Sequence, residues 1–433
     1  MRLLIENAYV IPVAGDQFQG DIAVGDGRII HLGPAGSVPE AFTPDETLDA
    51  TGMAATPGLV NSHTHAAMTL FRGYADDLPL MEWLGEKIWP VEAVLTGEDI
   101  YRGSLLAGLE MLKSGTTTFA DQYFEMDQVA RAVEEIGLRA SLCRGLIGIA
   151  PHADQALAES RDFIRNWHGA ANGRITAMLG PHAPYTCPPS YLEKVLAAAD
   201  ELGVGLHIHL SETRTEIEQI QTEYGCSPIE LMEKVNLFER PVLAAHCVHL
   251  SEADMEILAE KRVGVAHNPQ SNMKLGSGIA PVARMLAAGI TVGIGTDGAA
   301  SNNDLNMVEE MRTAALLQKV GLENPTVLPA GQVLEMATVG GAKALGLAEQ
   351  IGTLEVGKRA DIVLWNLNQA HLCPLHNVQA HLVYSAGRAD ADTVIVDGRI
   401  LMRGRRVLTV DEETILREAG CSARALVTRA SSA

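Results

Sequence analysis

The segment TPGLVNSHTHAAM, residues 56–68, places His63 and His65 two positions apart at the end of an apolar run. Alternate residues of a β-strand point to the same side, so both imidazoles would face one side of the strand end. Pro57 and Gly58 precede the run and mark a turn into it. The pattern predicts a buried strand whose last residues have the spacing of two ligands of one metal ion.

The same rhythm recurs from Ala54 to Gly298: a β-rich run, a polar or glycine-marked loop, then a stretch with helical apolar spacing. The eight runs are AATPGLVNSHTH, TTTFADQ, RASLCRGLIG, RITAMLGPHAP, VGLHIHLSE, PVLAAHCVHL, VGVAHNPQSN and ITVGIGTDG. Among the intervening helices, one begins at Thr96, with Asp99 at the capping-box position. Eight strand-helix repeats predict a (β/α)8 barrel of the TIM type.

Both chain ends have a sequence pattern that differs from the strand-helix repeats: short predicted strands broken by glycine, such as GDIAVGDGRIIHLG and ADTVIVDGRILMRGRRV. We expect the two ends to pair into one small β-sandwich, because each covers sheet edges that the other leaves open. The predicted division is residues 1–56 for the first part of the sandwich, 57–351 for the barrel and 352–433 for the second part. A terminal helix follows, with Thr409 and Glu412 at capping-box spacing.

Composition excludes several classes of partner. The net charge is −21, with no run of Lys or Arg to reverse it locally, which disfavours nucleic acid. Glu6 interrupts the first apolar run, and no segment reaches the ~20 apolar residues of a membrane span, so we expect a cytoplasmic protein without a membrane partner. The six cysteines include no CxxC pair, which predicts reduced thiols.

The predicted strand ends are unusually polar, and the chemistry of a TIM barrel collects at these ends. They carry His63, His65, His182, His207, His209 followed by Glu212, His246 and Asp297. Burying several imidazoles with a carboxylate is costly unless they pair or bind metal. Three imidazoles and one carboxylate suit Zn²⁺, with Fe²⁺ or another divalent ion as the alternative. A single histidine such as His207 or His249 equally fits a hydrogen-bonded core position.

The motifs HTHAAM, HIHLSE, AHCVHL, HNPQSNMKLGSG and GTDGAASNNDLNM resemble those of the amidohydrolase superfamily, specifically its 5-methylthioadenosine/S-adenosylhomocysteine deaminases. The similarity covers essentially the whole chain. It implies that His63, His65, His209 and Asp297 bind one metal ion, because GPHAPYTC at the fourth strand end lacks the bridging lysine of binuclear relatives. The implied reaction replaces the adenine 6-amino group of a 5′-modified adenosine by oxygen and releases ammonia.

The resemblance also implies roles for three catalytic residues. Glu212, three positions after the third ligand, would donate a proton to a ring nitrogen. His246 would polarise the attacking water or stabilise the oxyanion. Asp297 would accept the proton of that water and later deliver it to the leaving ammonia.

Substrate contacts implied by the resemblance are Glu92 for the ribose 2′- and 3′-hydroxyls, His182 for adenine N3, and Arg144. Arg144 also fits a structural ion pair, and Arg161 is a second cation by its nearness in sequence. The segment after the first strand carries an apolar group long enough to cover the mouth: Leu80, Met81, Trp83, Leu84 and Trp89.

The loop residues Asn268, Ser271 and Asn272 are predicted to hydrogen-bond loop backbone, and residues 301–304 to hold the loop of Asp297. Two alternatives stay open for the function. One is a related amidohydrolase that acts on a triazine or on a free base such as guanine or cytosine. The other is a non-catalytic barrel that serves in binding or assembly. The expected partner is a small nucleoside, and a homo-oligomer is compatible with the sequence.

Overall fold

The computed structural model describes residues 1–432 of the 433-residue chain. Its strands are Arg2–Val10, Phe18–Gly25, Arg28–Pro34, Glu46–Asp49, Met53–Pro57, Leu59–Thr64, Thr116–Tyr123, Arg139–Leu146, Ile175–Ala177, Gly180–Pro181, Leu206–Leu210, Val242–His246, Gly264–His267, Thr291–Ile294, Ile362–Asn366, Ala391–Val396, Arg399–Arg403 and Arg406–Val407.

Helices occupy most of the remaining chain. The longer helices are Gly97–Lys113, Met126–Ile136, Ala153–Trp167, Pro189–Leu202, Arg214–Tyr224, Pro228–Lys234, Glu252–Glu260, Pro269–Lys274, Val282–Ala287, Met307–Gly321, Ala330–Glu335, Val378–Tyr384 and Glu412–Ala430. The shorter helical turns are Ala66–Phe71, Leu80–Glu82, Trp83–Ile88, Trp89–Glu92, Ala170–Gly173, Leu237–Glu239, Ala299–Asn302, Met336–Gly340, Gly341–Ala344, Ala370–Leu372 and Arg388–Asp390. Within residues 1–432, none of these helices is long and apolar enough to cross a membrane.

The strands from Leu59–Thr64 to Thr291–Ile294 pair in parallel around a barrel, and the last of them returns to the first. The short strands Ile175–Ala177 and Gly180–Pro181 together occupy the fourth position. Backbone hydrogen bonds from Leu179 N to Gly205 O (3.0 Å) and from His207 N to Leu179 O (2.9 Å) close the ring. The predicted (β/α)8 barrel is therefore confirmed.

The remaining nine strands form a second sheet from both chain ends. Ile362–Asn366, from the C-terminal part, lies antiparallel to Met53–Pro57, from the N-terminal part, and this pair joins the two halves. The sheet has its own buried apolar cluster, which includes Leu3, Ile22 and Ile395. The predicted β-sandwich from both chain ends is present as one sheet domain of nine strands beside the barrel, to which both ends contribute.

Gly58 marks the passage from this β-domain into the barrel. A Cβ atom at this position would lie 2.0 Å from Thr117 Oγ1, so the close approach of the two strands requires glycine. Gly58 N donates to the Asp361 backbone oxygen (2.9 Å), which ties the start of the first barrel strand to the β-domain. The side chain of Asp361 makes a second link, a buried ion pair with Arg139 on the third barrel strand.

Replacing Asp361 by alanine is expected to lower the free energy of unfolding by about 3 kcal/mol, because the buried Arg139 loses both hydrogen bonds to this carboxylate and keeps as an ionic partner only the more distant Asp397 Oδ1, at 3.8 Å. The Arg139 Nε and Nη2 atoms donate to the two Asp361 oxygens at 2.8 and 3.2 Å. Urea unfolding followed by tryptophan fluorescence measures the loss. The matched control is Asp200→Ala in the exposed Asp200–Arg240 pair, with an expected cost below about 1 kcal/mol. Equal losses in the two variants would contradict the argument.

Two helix starts show where local sequence rules hold and where they fail. Thr96 caps its helix, and Asp99 completes the predicted capping box. The terminal helix begins two residues later than Thr409 predicts, because Asp411 is the cap and accepts from Thr414 N (2.7 Å). The prediction from Thr409 was wrong because its hydroxyl donates instead to the Ile136 carbonyl of a barrel helix (2.8 Å). All six cysteines are free, as predicted.

Candidate active site and metal centre

His63 and His65 lie at the carboxyl end of the first barrel strand, and Asp297 follows the eighth strand. Asp297 Oδ1 lies 3.5 Å from His63 Nε2 and 3.2 Å from His65 Nε2. The backbone reinforces this meeting, since Asp297 N donates to His63 O (3.0 Å). The histidine pair and the aspartate, more than 200 residues apart in sequence, therefore face one another at the barrel mouth.

His209, at the end of the fifth strand, completes this cluster. Its ring centroid lies 4.8 Å from that of His63 and 5.4 Å from that of His65. Two groups have ligand atoms within 4.8 Å of one another: His63 with His65 and Asp297, and His63 with His209 and His246. In the described chain His63 Nε2 is buried without a hydrogen-bond partner, which is rare for a buried polar atom. The donor set therefore fits a divalent metal ion.

The far nitrogens of these rings are held by backbone carbonyls. His65 Nδ1 donates to Gln122 O (2.6 Å), and His209 Nδ1 donates to His182 O (2.8 Å). A carbonyl oxygen only accepts, so the proton of each neutral ring resides on Nδ1 and the lone pair on Nε2 points into the cluster. Such contacts orient metal-binding histidines and select their tautomer.

His63 is oriented by another histidine. Its Nδ1 lies 2.8 Å from His207 Nε2, and His207 Nδ1 lies 3.6 Å from Cys143 Sγ. The sequence left His207 open as a core residue; the structure makes it a buried hydrogen-bond partner of the cluster. Its His-x-His spacing with His209 repeats that of His63 and His65 and is the signal that indicates this place.

Burial and neighbouring charges give the titratable residues of the cluster different pKa shifts. Burial lowers the pKa of His63 to about 4 and that of His209 well below its usual range, so both rings are neutral at pH 7. Burial also disfavours charge on His65, but the hydrogen bond and negative charge of Asp297 outweigh it and raise the pKa to about 9. The same contacts hold the pKa of Asp297 well below its usual range, despite burial. Without a bound ion, His63 and His209 are therefore neutral at pH 7, whereas His65 carries a proton against the Asp297 carboxylate and would release it when a cation binds.

Asp297 is held in a strained and tightly bonded conformation. Its backbone φ is +59°, a region that costs energy for a residue with a side chain. Its Oδ2 accepts from the hydroxyls of Ser271 (2.6 Å) and Ser301 (2.9 Å), and Oδ1 accepts from Gly298 N (2.8 Å). The prediction that Ser271 bonds loop backbone was wrong, because its hydroxyl reaches the buried Asp297 carboxylate instead.

Glu212 and His246 lie beside the cluster, with Glu212 Oε2 3.9 Å from His246 Nε2. Burial raises the pKa of Glu212 and favours its protonated form. His246 Nδ1 lies 2.9 Å from Asn272 Oδ1 and donates to it, which leaves Nε2 free to face Glu212. The prediction that Asn272 hydrogen-bonds loop backbone was wrong, because its side-chain oxygen accepts from the buried His246 ring instead. The site thus combines a proton donor with an imidazole acceptor.

A cavity opens above this cluster and is lined at its base by His65, His209, Glu212, His246 and Asp297. Its walls are largely apolar and include Leu80, Trp83, Leu84, Trp89, Phe124 and Ile147. Four of the five predicted covering residues therefore line it. The exception is Met81, whose side chain points outward and is 48% exposed.

Glu92 lies on the wall of this cavity, at the end of the helical turn Trp89–Glu92. The Tyr123 hydroxyl donates to Glu92 Oε1 at 2.6 Å, and burial raises the pKa of the carboxyl. Tyr123 ends the second barrel strand, and no local pattern in the sequence indicates its contact with Glu92. This carboxyl thus has a fixed orientation, with its second oxygen available to a ligand.

His182 lines the cavity, whereas the two arginines do not. His182 Nδ1 lies 2.9 Å from Thr186 Oγ1, and burial lowers the pKa of His182 to about 4. Arg144 forms an ion pair with Glu159 (2.9 Å) and a hydrogen bond to Gly145 O (3.2 Å). Arg161 pairs with Glu201. The structure thus brings together the predicted site residues except Arg144.

A (β/α)8 barrel with histidines and an aspartate gathered at its strand ends, beside a buried glutamate, defines the class of metal-dependent hydrolases. Residues 54–401 match the model of the Amidohydrolase family, and the chain belongs to this family. The family predicted from the motifs HTHAAM, HIHLSE and GTDGAASNNDLNM is thereby confirmed.

Three similar proteins refine this placement. The chain is 79% identical to a 5-methylthioadenosine/S-adenosylhomocysteine deaminase of Desulforudis audaxviator, over 99% of each chain. It is 53% identical to a 5′-deoxyadenosine deaminase of Methanosarcina mazei, again over 99% of each. Among solved structures, a zinc-bound adenosine deaminase from Xanthomonas campestris superposes with a TM-score of 0.95 at 37% identity, covering 98% of each chain.

Proposed function

We propose that this protein hydrolytically deaminates 5′-modified adenosines, 5′-methylthioadenosine and S-adenosylhomocysteine, to the inosine-type product and ammonia. The observation that carries the proposal is one cavity that joins the metal-type cluster, the buried Glu212 carboxyl and the oriented Glu92 carboxyl. In this arrangement the Glu212 carboxyl can serve the purine ring of the substrate, and the Glu92 carboxyl can serve its ribose. The names of the similar proteins support the same substrate class.

We assign the metal site to His63, His65, His209 and Asp297, with a single Zn²⁺ as the proposed ion and Fe²⁺ as the alternative. The unpartnered, buried Nε2 of His63 supports this fit. A bound divalent ion supplies Lewis-acid activation of water at neutral pH. The chain's own residues provide the proton transfers, the orientation of the ring and the exclusion of bulk water.

Glu212 enters the reaction protonated and donates to adenine N1, which prevents negative charge from building on the ring as oxygen adds to C6. Asp297 accepts one proton of the attacking water and delivers it to the 6-amino group. The C6–N bond then breaks, and ammonia leaves with that proton. The remaining proton on the new C6 oxygen passes to Glu212, beside His246, and restores its protonated form.

Glu92 is proposed to bind the ribose 2′- and 3′-hydroxyls through carboxylate lone pairs that Tyr123 does not occupy. His182 is proposed to donate from Nε2 to adenine N3, which requires the Thr186 hydroxyl to donate to His182 Nδ1 (2.9 Å) in place of its other acceptor, the Ala183 carbonyl (3.1 Å). Arg144 is the proposed partner of a charged 5′ substituent, and it must leave Glu159 to serve in this way.

Within residues 1–432, no Lys or Arg lines the cavity, whose charged groups are carboxylates and histidines. A neutral methylthio group against Trp83 and Leu84 needs no ionic partner, whereas the homocysteine carboxylate does. We therefore expect a higher kcat/KM for methylthioadenosine than for S-adenosylhomocysteine.

Replacing Glu92 by alanine tests the nucleoside assignment. A spectrophotometric deamination assay compares methylthioadenosine, S-adenosylhomocysteine, adenosine, guanine and a triazine, with wild-type protein and the variant. We expect turnover of the nucleosides and a KM for them that rises about 10- to 100-fold in Glu92→Ala, since hydrogen bonds to a charged group contribute ~1.5–3 kcal/mol. Glu86→Ala, an exposed glutamate of the same segment, is the matched control with wild-type KM.

Two outcomes would overturn this assignment. Absence of turnover of every adenosine analogue by metal-loaded protein would refute the deaminase. Turnover of guanine or the triazine, with Glu92→Ala impairing them as much as the nucleosides, would instead favour the related amidohydrolase that acts on free heterocycles.

The wider organisation follows the same proposal. We propose residues 1–56 and 352–433 as one β-domain and residues 57–351 as the catalytic barrel. The enzyme is proposed to act in the cytoplasm on a small-molecule substrate, as a homo-oligomer or as a single chain.

A further inference from the structure

Glu216 is a buried carboxylate that the proposed chemistry does not use. It lies in the first turn of the helix Arg214–Tyr224 and is only 3% exposed. Its two oxygens accept from consecutive backbone amides: Oε1 from Ser211 N (2.9 Å) and Oε2 from Glu212 N (2.8 Å). A charged side chain is rarely buried to this degree unless its hydrogen bonds compensate the lost hydration.

This arrangement differs from an ordinary helix cap. In the capping boxes of Asp99, Glu230 and Asp254, the acidic side chain returns to the backbone N–H of the capping residue itself. The equivalent partner of Glu216 would be Thr213 N, and Thr213 already caps the helix through its hydroxyl. Glu216 instead reaches one and two residues further, to the peptides that carry Glu212. Its bonds therefore hold the strand-to-helix loop and not the helix end.

The peptide on which Glu216 acts is strained and fixed from both sides. Ser211 has a φ of +53°, in the left-handed region that residues with a side chain seldom adopt. The Ser211 carbonyl accepts from Val248 N (3.0 Å) and His249 N (2.9 Å), in the loop that follows His246. Strained backbone of this kind persists only where the surrounding contacts over-determine it. Glu216 supplies the contacts on the amide side.

We propose that Glu216 is a positioning residue that holds the Glu212 carboxyl at the substrate ring, an assignment that rests on the proton-donor role of Glu212. Without its two acceptors, the 211–212 peptides lose their hydrogen bonds, and Ser211 relaxes towards an ordinary conformation. The carboxyl of Glu212 then moves away from N1, although every residue that touches the substrate is still present. The defect should therefore appear in the chemical step and not in substrate binding.

The experiment compares Glu216→Gln with Glu230→Gln in the metal-loaded, full-length protein. In Glu216→Gln the side-chain oxygen can accept from only one of the two backbone N–H groups, and the side-chain NH2 group faces the other. The substitution therefore removes one of the two hydrogen bonds while it keeps the volume of the side chain. We expect kcat for methylthioadenosine to fall about 10- to 100-fold, as misplacement of a reacting group by ~1 Å can do, with KM nearly unchanged. Glu230→Gln makes the same chemical change in a capping box outside the cavity lining, where the amide oxygen can still accept from Ser227 N, and should keep the wild-type kcat.

The double variant Glu212→Gln/Glu216→Gln separates positioning from general support of the fold. If Glu216 acts only through Glu212, the double variant turns over as slowly as Glu212→Gln alone, because the effects of two residues acting as one unit do not add. A further loss in the double variant would overturn the proposal, as would a lower metal content in Glu216→Gln. A modest fall of the thermal midpoint is expected, because one buried N–H loses its acceptor. If Glu216→Gln turns over methylthioadenosine as fast as the wild type, the positioning role of Glu216 is refuted and the proposed function still stands. If the wild-type protein itself is inactive, the proposed function is refuted.

Discussion

Glu212→Gln is expected to lower kcat for methylthioadenosine by about 10²–10⁴-fold, the range of general acid–base catalysis. The buried carboxyl of Glu212 has a raised pKa and lies 3.9 Å from His246 Nε2, so it is poised to exchange a proton at the ring. Glutamine keeps the shape but cannot pass that proton on. Steady-state kinetics measure kcat and KM separately, and KM should change little because the ring still fits the cavity.

Glu218→Gln is the matched control, an exposed glutamate on the helix that follows Glu212. Both variants should retain the metal content and the thermal midpoint of the wild-type protein, since neither residue belongs to the assigned metal site. A Glu212→Gln enzyme with a kcat within a few fold of wild type would assign the proton to another group. In that case the positioning role of Glu216 would fall with it.

Removing the metal ion should abolish turnover, by on the order of 10³-fold or more, because Lewis-acid activation of water contributes several kcal/mol to the barrier. Dialysis against a chelator followed by assay of methylthioadenosine measures the loss, and added Zn²⁺ should restore the activity. Zn²⁺ should also raise the thermal midpoint, because an ion that binds only the folded chain stabilises it by mass action.

Histidine variants distinguish the assigned site from adventitious metal. His63→Gln should not regain activity with Zn²⁺, since it removes the nitrogen shared by both groups of ligand atoms. His381→Gln is the control, because this residue does not line the cavity and its ring hydrogen-bonds the carbonyls of Pro374 and Asn377. Full activity after chelation, with less than about half an equivalent of metal per chain, would contradict a metal-dependent mechanism.

The barrel was predictable because its evidence is local and repeated. Each strand of the barrel reads as a short apolar run, and the i, i+2 spacing of His63 and His65 follows from strand geometry alone. The capping box of Thr96 and Asp99 was found for the same reason, since all of its partners lie within one helical turn. Periodicity and motif spacing therefore sufficed for the class of fold and for most of the polar residues at its mouth.

The failures share one physical cause. Thr409, Ser271 and Asn272 were assigned to nearby backbone, but each hydrogen-bonds a group more than 20 residues away that the fold brings within reach. Arg144 was a candidate for the substrate, and it pairs with Glu159 from the following helix. A polar side chain takes the partner that burial and geometry present, which local spacing does not encode.

Residue order was enough to identify the barrel, its family and the side chains with the chemistry of a metal site, because strand periodicity and ligand type are written into short segments. Residue order could not identify the hydrogen bonds that orient these side chains. They are the bonds of Tyr123 to Glu92, of His207 to His63 and of Glu216 to the backbone of Glu212. The contacts of Tyr123 and His207 exist because segments distant in the chain meet at one mouth, where burial favours paired polar atoms. The contact of Glu216 spans only four residues, but it depends on the left-handed conformation of Ser211, whose carbonyl is held by the loop after His246. The histidine pair of residues 56–68 thus indicates a metal site, but the orientation of its rings comes from the strands around it.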